Sequence, residues 1–290
     1  MMPADARAEL IRNDGNDALM GETDLIFDIG MHLGEDAEFY LHKGFRVVAV
    51  EADPVHCDTV ASRLADHVKR GQLTIVNAAV ADQRGRIAFY RNLDNSVWGT
   101  AEPDWVERNT RFGTRVERIE VDARPMQDII ATHGMPYYMK VDIEGRDLLC
   151  LEALRSFDDR PKYLSIEASK TDVAEVRAEL GLMRALGYRD FKVVPQHVVP
   201  RQVPPNPSRE GRYIHWRFPE GASGLFGDET PGEWLDLDGA LRAYGPIFRA
   251  YRWIGDRPIL PIGRFRGLLR RFGVDAGWHD THARLGNASP

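Results

Sequence analysis

Residues 24 to 54 constrain the fold more than any other part of the chain. They read Leu25-Ile-Phe-Asp-Ile29, then Gly30-Met-His-Leu-Gly34, a helical stretch, and Arg46-Val-Val-Ala-Val-Glu51-Ala-Asp-Pro54. Two short apolar runs joined by a glycine turn and one helix can bury both strands only as parallel neighbours, with the helix crossing over one face of the sheet. The second run ends in Glu51, 23 residues after Asp28, which brings the two acids toward the ends of adjacent strands. Open α/β sheets hold their ligands at those carboxyl ends, and a carboxylate there can accept hydrogen bonds from both hydroxyls of a ribose.

The turn decides which kind of nucleoside fits. A dinucleotide site needs glycines that let the backbone close on a pyrophosphate at a helix N-terminus. This chain has Gly30-x-x-x-Gly34 instead, followed by Glu35 and Asp36 in the first helical turn. Those acids favour the helix dipole but repel a diphosphate. S-adenosylmethionine carries no phosphate: its ribose suits Glu51, its ammonium suits Asp28, and its sulfonium tolerates nearby negative charge. His32, inside the turn, is expected beside this cofactor. A Rossmann-like strand pair that holds no ligand is the alternative reading.

Apolar runs alternate with helical stretches from residue 21 to about 194, as a doubly wound, mostly parallel α/β sheet requires. Strands are expected at 24–29, 46–51, 73–77, 137–142, 162–167 and 189–194, and helices at 34–43, 54–69, 124–132, 146–154 and 171–186. The last of these is opened by Thr171-Asp172 and closed by Gly187. Two extra strands, 86–91 and 115–122, flank a long polar and aromatic excursion, 92–113, that reads as a lid, an acceptor contact or a plain surface loop around Trp98. Prolines 195, 200, 204, 205 and 207 then break the pattern, and Gly211 to Phe218 reads as an antiparallel strand on the sheet edge. The expected organisation is an N-terminal extension at 1–20, a core at 21–218 and a C-terminal elaboration at 219–290 packed on it.

A net charge of -6 argues against a general nucleic-acid binder, which needs a basic footprint. The arginine-rich stretch Arg249 to Arg271 departs from that balance and suggests an anionic partner or a solvated helical face. Cys57 and Cys150 are too few and too far apart for a disulfide framework, which suits a reducing compartment. Without an apolar leader or a spanning run, no transmembrane segment and a cytoplasmic protein are expected. Oligomeric state is not legible.

The second informative segment is Tyr137-Tyr-Met-Lys140-Val-Asp142-Ile-Glu144-Gly145. A central parallel strand is normally apolar on both faces, so Lys140, Asp142 and Glu144 on one face depart from the rule and point to the ligand crevice. Glu167, ending the next strand, completes a candidate acidic cluster with Asp142 and Glu144. Methyl transfer to an alcohol needs alignment and removal of a hydroxyl proton. Asp142 is the first candidate for that role and Glu144 the second. The cluster could instead hold a divalent metal, which is not expected, or Lys140 and a carboxylate could simply pair. In Trp278-His279-Asp280-Thr281-His282 the histidines are three apart, but no third metal ligand stands at a suitable spacing; a turn, a short capped helix or a docking segment is expected.

The segments Phe27–Asp36, Val47–Pro54 and Lys140-Val-Asp-Ile-Glu-Gly145 resemble the FkbM-type S-adenosylmethionine-dependent methyltransferases, and looser similarity runs through Asn77–Asp82, Phe191–Gln196, Ser223–Asp228 and Trp278–Ala283. The resemblance implies a class I methyltransferase fold and O-methylation of hydroxyls on sugars or polyketide-like metabolites. It also implies that Asp28, Gly30, Gly34 and Glu51 bind the donor, with Ala79 and Asp82 near its adenine. The expected function is therefore an O-methyltransferase acting on a sugar, a glycan or a small hydroxylated metabolite. The alternatives are a non-catalytic nucleoside-binding module that partners a glycan-assembly enzyme, and an NAD-dependent oxidoreductase.

Overall fold

The computed structural model describes residues 24–143, 145–169, 173–254 and 278–286. In chain order the elements are β1 Leu25–Ile29, α1 Glu35–His42, β2 Arg46–Glu51, α2 Pro54–Arg63, α3 Ala65–Lys69, β3 Leu73–Asn77, β4 Ala79–Val80, β5 Gly85–Asn92, α4 Pro103–Arg111 and β6 Val116–Arg124. There follow α5 Met126–His133, β7 Tyr138–Val141, α6 Asp147–Ala153, β8 Tyr163–Glu167, α7 Val173–Ala185, β9 Tyr188–Pro195, α8 Leu237–Ile254 and β10 His279–Leu285. The main sheet runs β3-β2-β1-β7-β8-β10-β9, and β4, β6 and β5 form a second, smaller sheet. Neighbours from β3 through β8 are parallel, whereas β10 is antiparallel to both β8 and β9. That mostly parallel order is the class I methyltransferase fold expected above, with its one reversed strand next to the last.

Strands covered on both faces must be apolar throughout, and every residue of β1 and β7 is indeed buried. On one face Phe27, Val50, Met139 and Leu164 pack under α5, α6, α7 and α8 through Ile129, Leu151, Leu180 and Tyr244. On the other, Ile26, Val47 and Tyr138 pack against Phe39 and Tyr40 of α1, Val60 of α2, and Phe218 and Phe226 of the C-terminal segment. The chain enters α2 through Asp53, whose side chain accepts from Val55 N at 2.8 Å ahead of Pro54 at the first helical position. The single helix expected over 54–69 breaks at Leu64 into α2 and α3.

Two expectations are corrected. Residues 211–218 form no strand: they run irregularly, with the Phe218 and Trp216 rings 4.7 and 5.8 Å from that of Phe39. The antiparallel strand is β10, and it lies inside the sheet, leaving β9 at the edge. His279 and His282 therefore stand on opposite faces of a strand, not on one face of a helix. Residues 279–285, within the segment expected as a C-terminal elaboration packed on the core, thus form a strand of the main sheet. Residues 1–20, Glu144, the helix cap at Thr171-Asp172 and the arginine-rich stretch from 255 onward lie outside the described residues. Among the described residues no helix is long and apolar enough to cross a membrane.

Candidate functional site

A cleft at the carboxyl ends of β1, β2 and β7 encloses about 900 Å³, its open mouth included. Its floor is the turn after β1. Gly30 N and Met31 N both donate to Val50 O, at 2.9 and 3.1 Å, so the turn is tied to the end of β2. A Cβ added to Gly30, which has φ +85°, would lie 1.9 Å from the Asp142 carbonyl oxygen. No side chain fits where β1 and β7 converge. Gly34, with φ +78°, opens α1; a Cβ there would meet Val60 and Arg63, so its smallness serves helix packing.

Glu51 lines the cleft with its carboxylate fixed by two backbone donors. His32 N donates to Oε2 and Asp53 N to Oε1, both at 2.8 Å. His32 reaches that position with φ 52°. Its Nε2 lies 2.8 Å from Ser96 Oγ, and its ring packs edge-on to His56 at 4.8 Å between centroids. Burial alone would lower the His56 pKa, but the adjacent Glu51 and Asp53 carboxylates outweigh it and raise the value. Asp53 itself is gripped by Arg91, whose Nε and Nη2 donate at 2.6 and 2.7 Å.

At the β1 and β7 side Lys140 is the hub. Its Nζ lies 3.2 Å from Asp28 Oδ1, 3.4 Å from Asp36 Oδ2 and 4.0 Å from Asp142 Oδ2, and it donates to Gly30 O at 3.2 Å. Burial opposes its charge, yet the three carboxylates hold its pKa well above the usual lysine value, so Lys140 is a fixed cation and no proton acceptor. Burial pushes Asp28 up to about 7 despite Lys140, and raises Asp36 as well. Both oxygens of Asp36 accept from Ser223 N, at 2.9 and 3.0 Å, which pulls the C-terminal segment over the cleft and brings Gly221 into its wall.

The excursion expected at 92–113 closes the remaining side. Ser96, Val97, Gly99 and Ala101 line the cleft with Ala79, Val80 and Phe89 of the smaller sheet. Glu102 accepts from Arg146 Nε at 2.6 Å, tying the excursion to the turn after β7.

Of the residues singled out in the sequence, Gly30, His32, Glu51, Ala79, Lys140 and Asp142 line the cleft. Asp28 does not: it is fully buried beneath Lys140. Gly34, Asp82 and Glu167 also lie off its wall; Asp82 is exposed, and Glu167 pairs in register with Asp280 of β10. Of the expected acidic cluster of Asp142, Glu144 and Glu167, Glu144 lies outside the described residues; Asp142 joins Asp28 and Asp36 around Lys140. Among the described residues, no group of three or more His, Cys, Asp or Glu side chains is placed to hold a metal ion. Sequence reasoning missed the contacts of Asp36, His56, Arg91 and Arg146, each of which depends on a partner at least 25 residues away or on a neighbouring turn. Only Asp53-Pro54-x-His56, a cap directly after Glu51, offered a signal.

The family described as Methyltransferase FkbM domain matches residues 28–189, more than half of the chain. The chain belongs to the FkbM methyltransferase family. Its reaction class is thus S-adenosylmethionine-dependent methyl transfer. No curated protein sequence matches this FkbM methyltransferase. Similar solved structures include the precorrin-6Y C5,15-methyltransferase from Geobacter metallireducens, at 13% identity over 61% of this chain and 69% of that one with a TM-score of 0.35. Another is an S-adenosylmethionine-dependent methyltransferase from Archaeoglobus fulgidus, at 9% identity over 91% and 86% with a TM-score of 0.36.

The cleft residues suit that donor. Glu35, Asp36, Glu51, Asp53 and Asp142 line it, which favours a sulfonium over a diphosphate, and the Ala79, Val80 and Phe89 side offers an apolar slot.

Proposed function

We propose that this FkbM methyltransferase is an O-methyltransferase whose acceptor is a hydroxyl on a sugar, a glycan or a small hydroxylated metabolite. The observation that carries the donor half of this reading is the Glu51 carboxylate, held by His32 N and Asp53 N with further lone pairs on each oxygen. A ribose diol is the natural partner for such a preset pair of acceptors. Ala79, Val80 and Phe89 would cover the adenine, Gly30 lets the backbone approach, and the carboxylates at the β1 end would face the ammonium. Bound there, S-adenosylmethionine supplies an electrophilic methyl group on a sulfonium.

Asp142 is the acid best placed for the acceptor. Its side chain is 41% exposed, against 4% for Asp36 and none for Asp28, and so can meet a hydroxyl arriving through the mouth. There it would orient the hydroxyl oxygen and take its proton as the methyl group is transferred. Lys140, 4.0 Å away, fixes that carboxylate and disperses the repulsion of the buried acids behind it. Val97 and Arg146 on either side would contact the body of the acceptor.

The test is incubation of the protein with methyl-labelled donor and a host cell extract, followed by identification of the labelled compounds. Label in base-stable, hydroxyl-bearing products is expected; label confined to carboxyl or amino groups would replace O-methylation of an alcohol with another transfer. Calorimetry with S-adenosylmethionine against NAD tests the donor, and tighter binding of NAD would overturn the reading.

A further inference from the structure

A second cavity of about 710 Å³, its mouth included, lies between β9 and the C-terminal segment, and Lys192, Gln202, Arg209, Asp228, Glu229 and Thr230 help to line it. Its charges do not balance in the way their count suggests. Glu229 is consumed internally: Lys43 Nζ donates to one oxygen at 2.7 Å, and Ser208 Oγ, Arg209 N and Glu210 N donate to the other at 2.7, 2.9 and 3.1 Å. Asp228 accepts from Arg284 Nη1 at 3.2 Å. Among the described residues the lining cations have no carboxylate hydrogen-bonded to them. Among the described residues Lys192 makes no ion pair; it donates to Thr230 O, and its Nζ sits 4.3 Å from the centre of the Trp234 ring. The Arg209 guanidinium, among the described residues, makes only a 3.4 Å contact, with the Asp228 carbonyl.

Lys192 is 4% exposed, and a buried ammonium with spare N–H donors is costly unless something accepts from it. Gln202 adds to the demand. Its Oε1 accepts from Leu225 N at 2.8 Å, which fixes the carboxamide, and its buried Nε2 has no hydrogen-bond partner. His282, in register with Lys192 on β10, supplies no counter-charge: burial, then Lys192, push its pKa down to about 3. Burial pushes Lys192 itself down to about 8, and Arg284 and Arg209 reinforce that against Asp228. The ammonium is still protonated at neutral pH, with Asp228, Arg284 and Arg209 as the charges around it.

We infer that this cavity is a binding site for a small phosphate-bearing anion, received by the Lys192 ammonium, the Gln202 carboxamide and the Arg209 guanidinium. These groups supply donors, and the two carboxylates in the lining are engaged, Glu229 by Lys43 and Ser208 and Asp228 by Arg284, which leaves the donors for an oxyanion. The site is independent of methyl transfer and shares no lining residue with the donor cleft, but one segment serves both. Ser223 caps Asp36 at the donor cleft, while Leu225 and Thr230 border the second cavity a few residues later.

The test is calorimetric titration of the full-length protein with inorganic phosphate and, separately, with glucose 1-phosphate. Saturable binding of either is expected, and the tighter of the two tells a free anion from a phosphorylated metabolite. Lys192→Met and Arg209→Gln should each weaken it about tenfold or more. Arg209 is exposed, so Arg209→Gln keeps the test alive if Lys192→Met does not fold, and its affinity for S-adenosylmethionine should equal the parent's. Absence of saturable binding up to about 10 mM of both probes would overturn the inference, as would binding undiminished in Arg209→Gln.

Discussion

Replacing Lys140 by methionine should expose how much the buried charge cluster depends on one cation. At an effective dielectric of about 20, a unit charge 3.2 Å from Asp28 and 3.4 Å from Asp36 gains about 5 kcal/mol from each. Much of that is cancelled by the cost of burying the ammonium, which the variant no longer bears. The net loss on removing one partner from a buried ionic group is about 3–5 kcal/mol. The loss should also depend on pH. Asp28 stands at about 7 in the folded protein against an ordinary 3.8, so the native state binds its proton more tightly than the unfolded chain does. This group's contribution to stability therefore falls as pH rises from about 4 to 7 and is level above that. Without Lys140, Asp28 and Asp36 move further up, so the decline continues to higher pH and the gap between variant and parent widens. Urea unfolding of both proteins at about pH 5 and pH 8 measures it. A loss below about 1 kcal/mol at pH 8, or a gap that narrows as pH rises, would refute the reasoning.

Glu51→Gln should weaken S-adenosylmethionine binding by roughly 1–3 kcal/mol in calorimetry, because charged hydrogen bonds to the ribose become neutral; unchanged affinity would remove Glu51 from the site. Asp142→Asn is expected to reduce turnover by about 10²-fold or more while donor affinity stays within a few-fold, a split that steady-state kinetics and calorimetry together resolve. Gly30→Ala should cost more than about 2 kcal/mol in urea unfolding, since left-handed strain adds to a Cβ placed 1.9 Å from the Asp142 carbonyl. If that variant were as stable as the parent, β1 and β7 would not converge as described.

The parallel strands and the glycine turn were legible because local pattern and burial agree there: Leu25-Ile-Phe-Asp-Ile29 is apolar enough to need cover on both faces, and Glu51 ends its strand where expected. What failed depended on distant partners. Gly211-Arg-Tyr-Ile-His-Trp-Arg-Phe218 has the composition of a strand, but Trp216 and Phe218 find their burial against α1 without a hydrogen-bonded neighbour. His279-Asp-Thr-His-Ala-Arg-Leu285 is polar, yet forms a strand because β8 and β9 offer it two facing edges. The position of Asp28 at the end of β1 suggests a ligand contact but says nothing of Lys140, which lies in register beside it and donates to its Oδ1. Asp36 does stand in the first turn of α1, as the helix-dipole reading expects, but its contact with Ser223, 187 residues away, has no local signal.

The insertion of β10 between β8 and β9 bears on how the chain can be made. Those two earlier strands have no hydrogen bonds to each other and must wait, edges open, until residues 279–285 have emerged from the ribosome. Synthesis that stalls before that point leaves a nascent chain with two unsated strand borders, a template for self-association, so chaperone demand should peak late in translation.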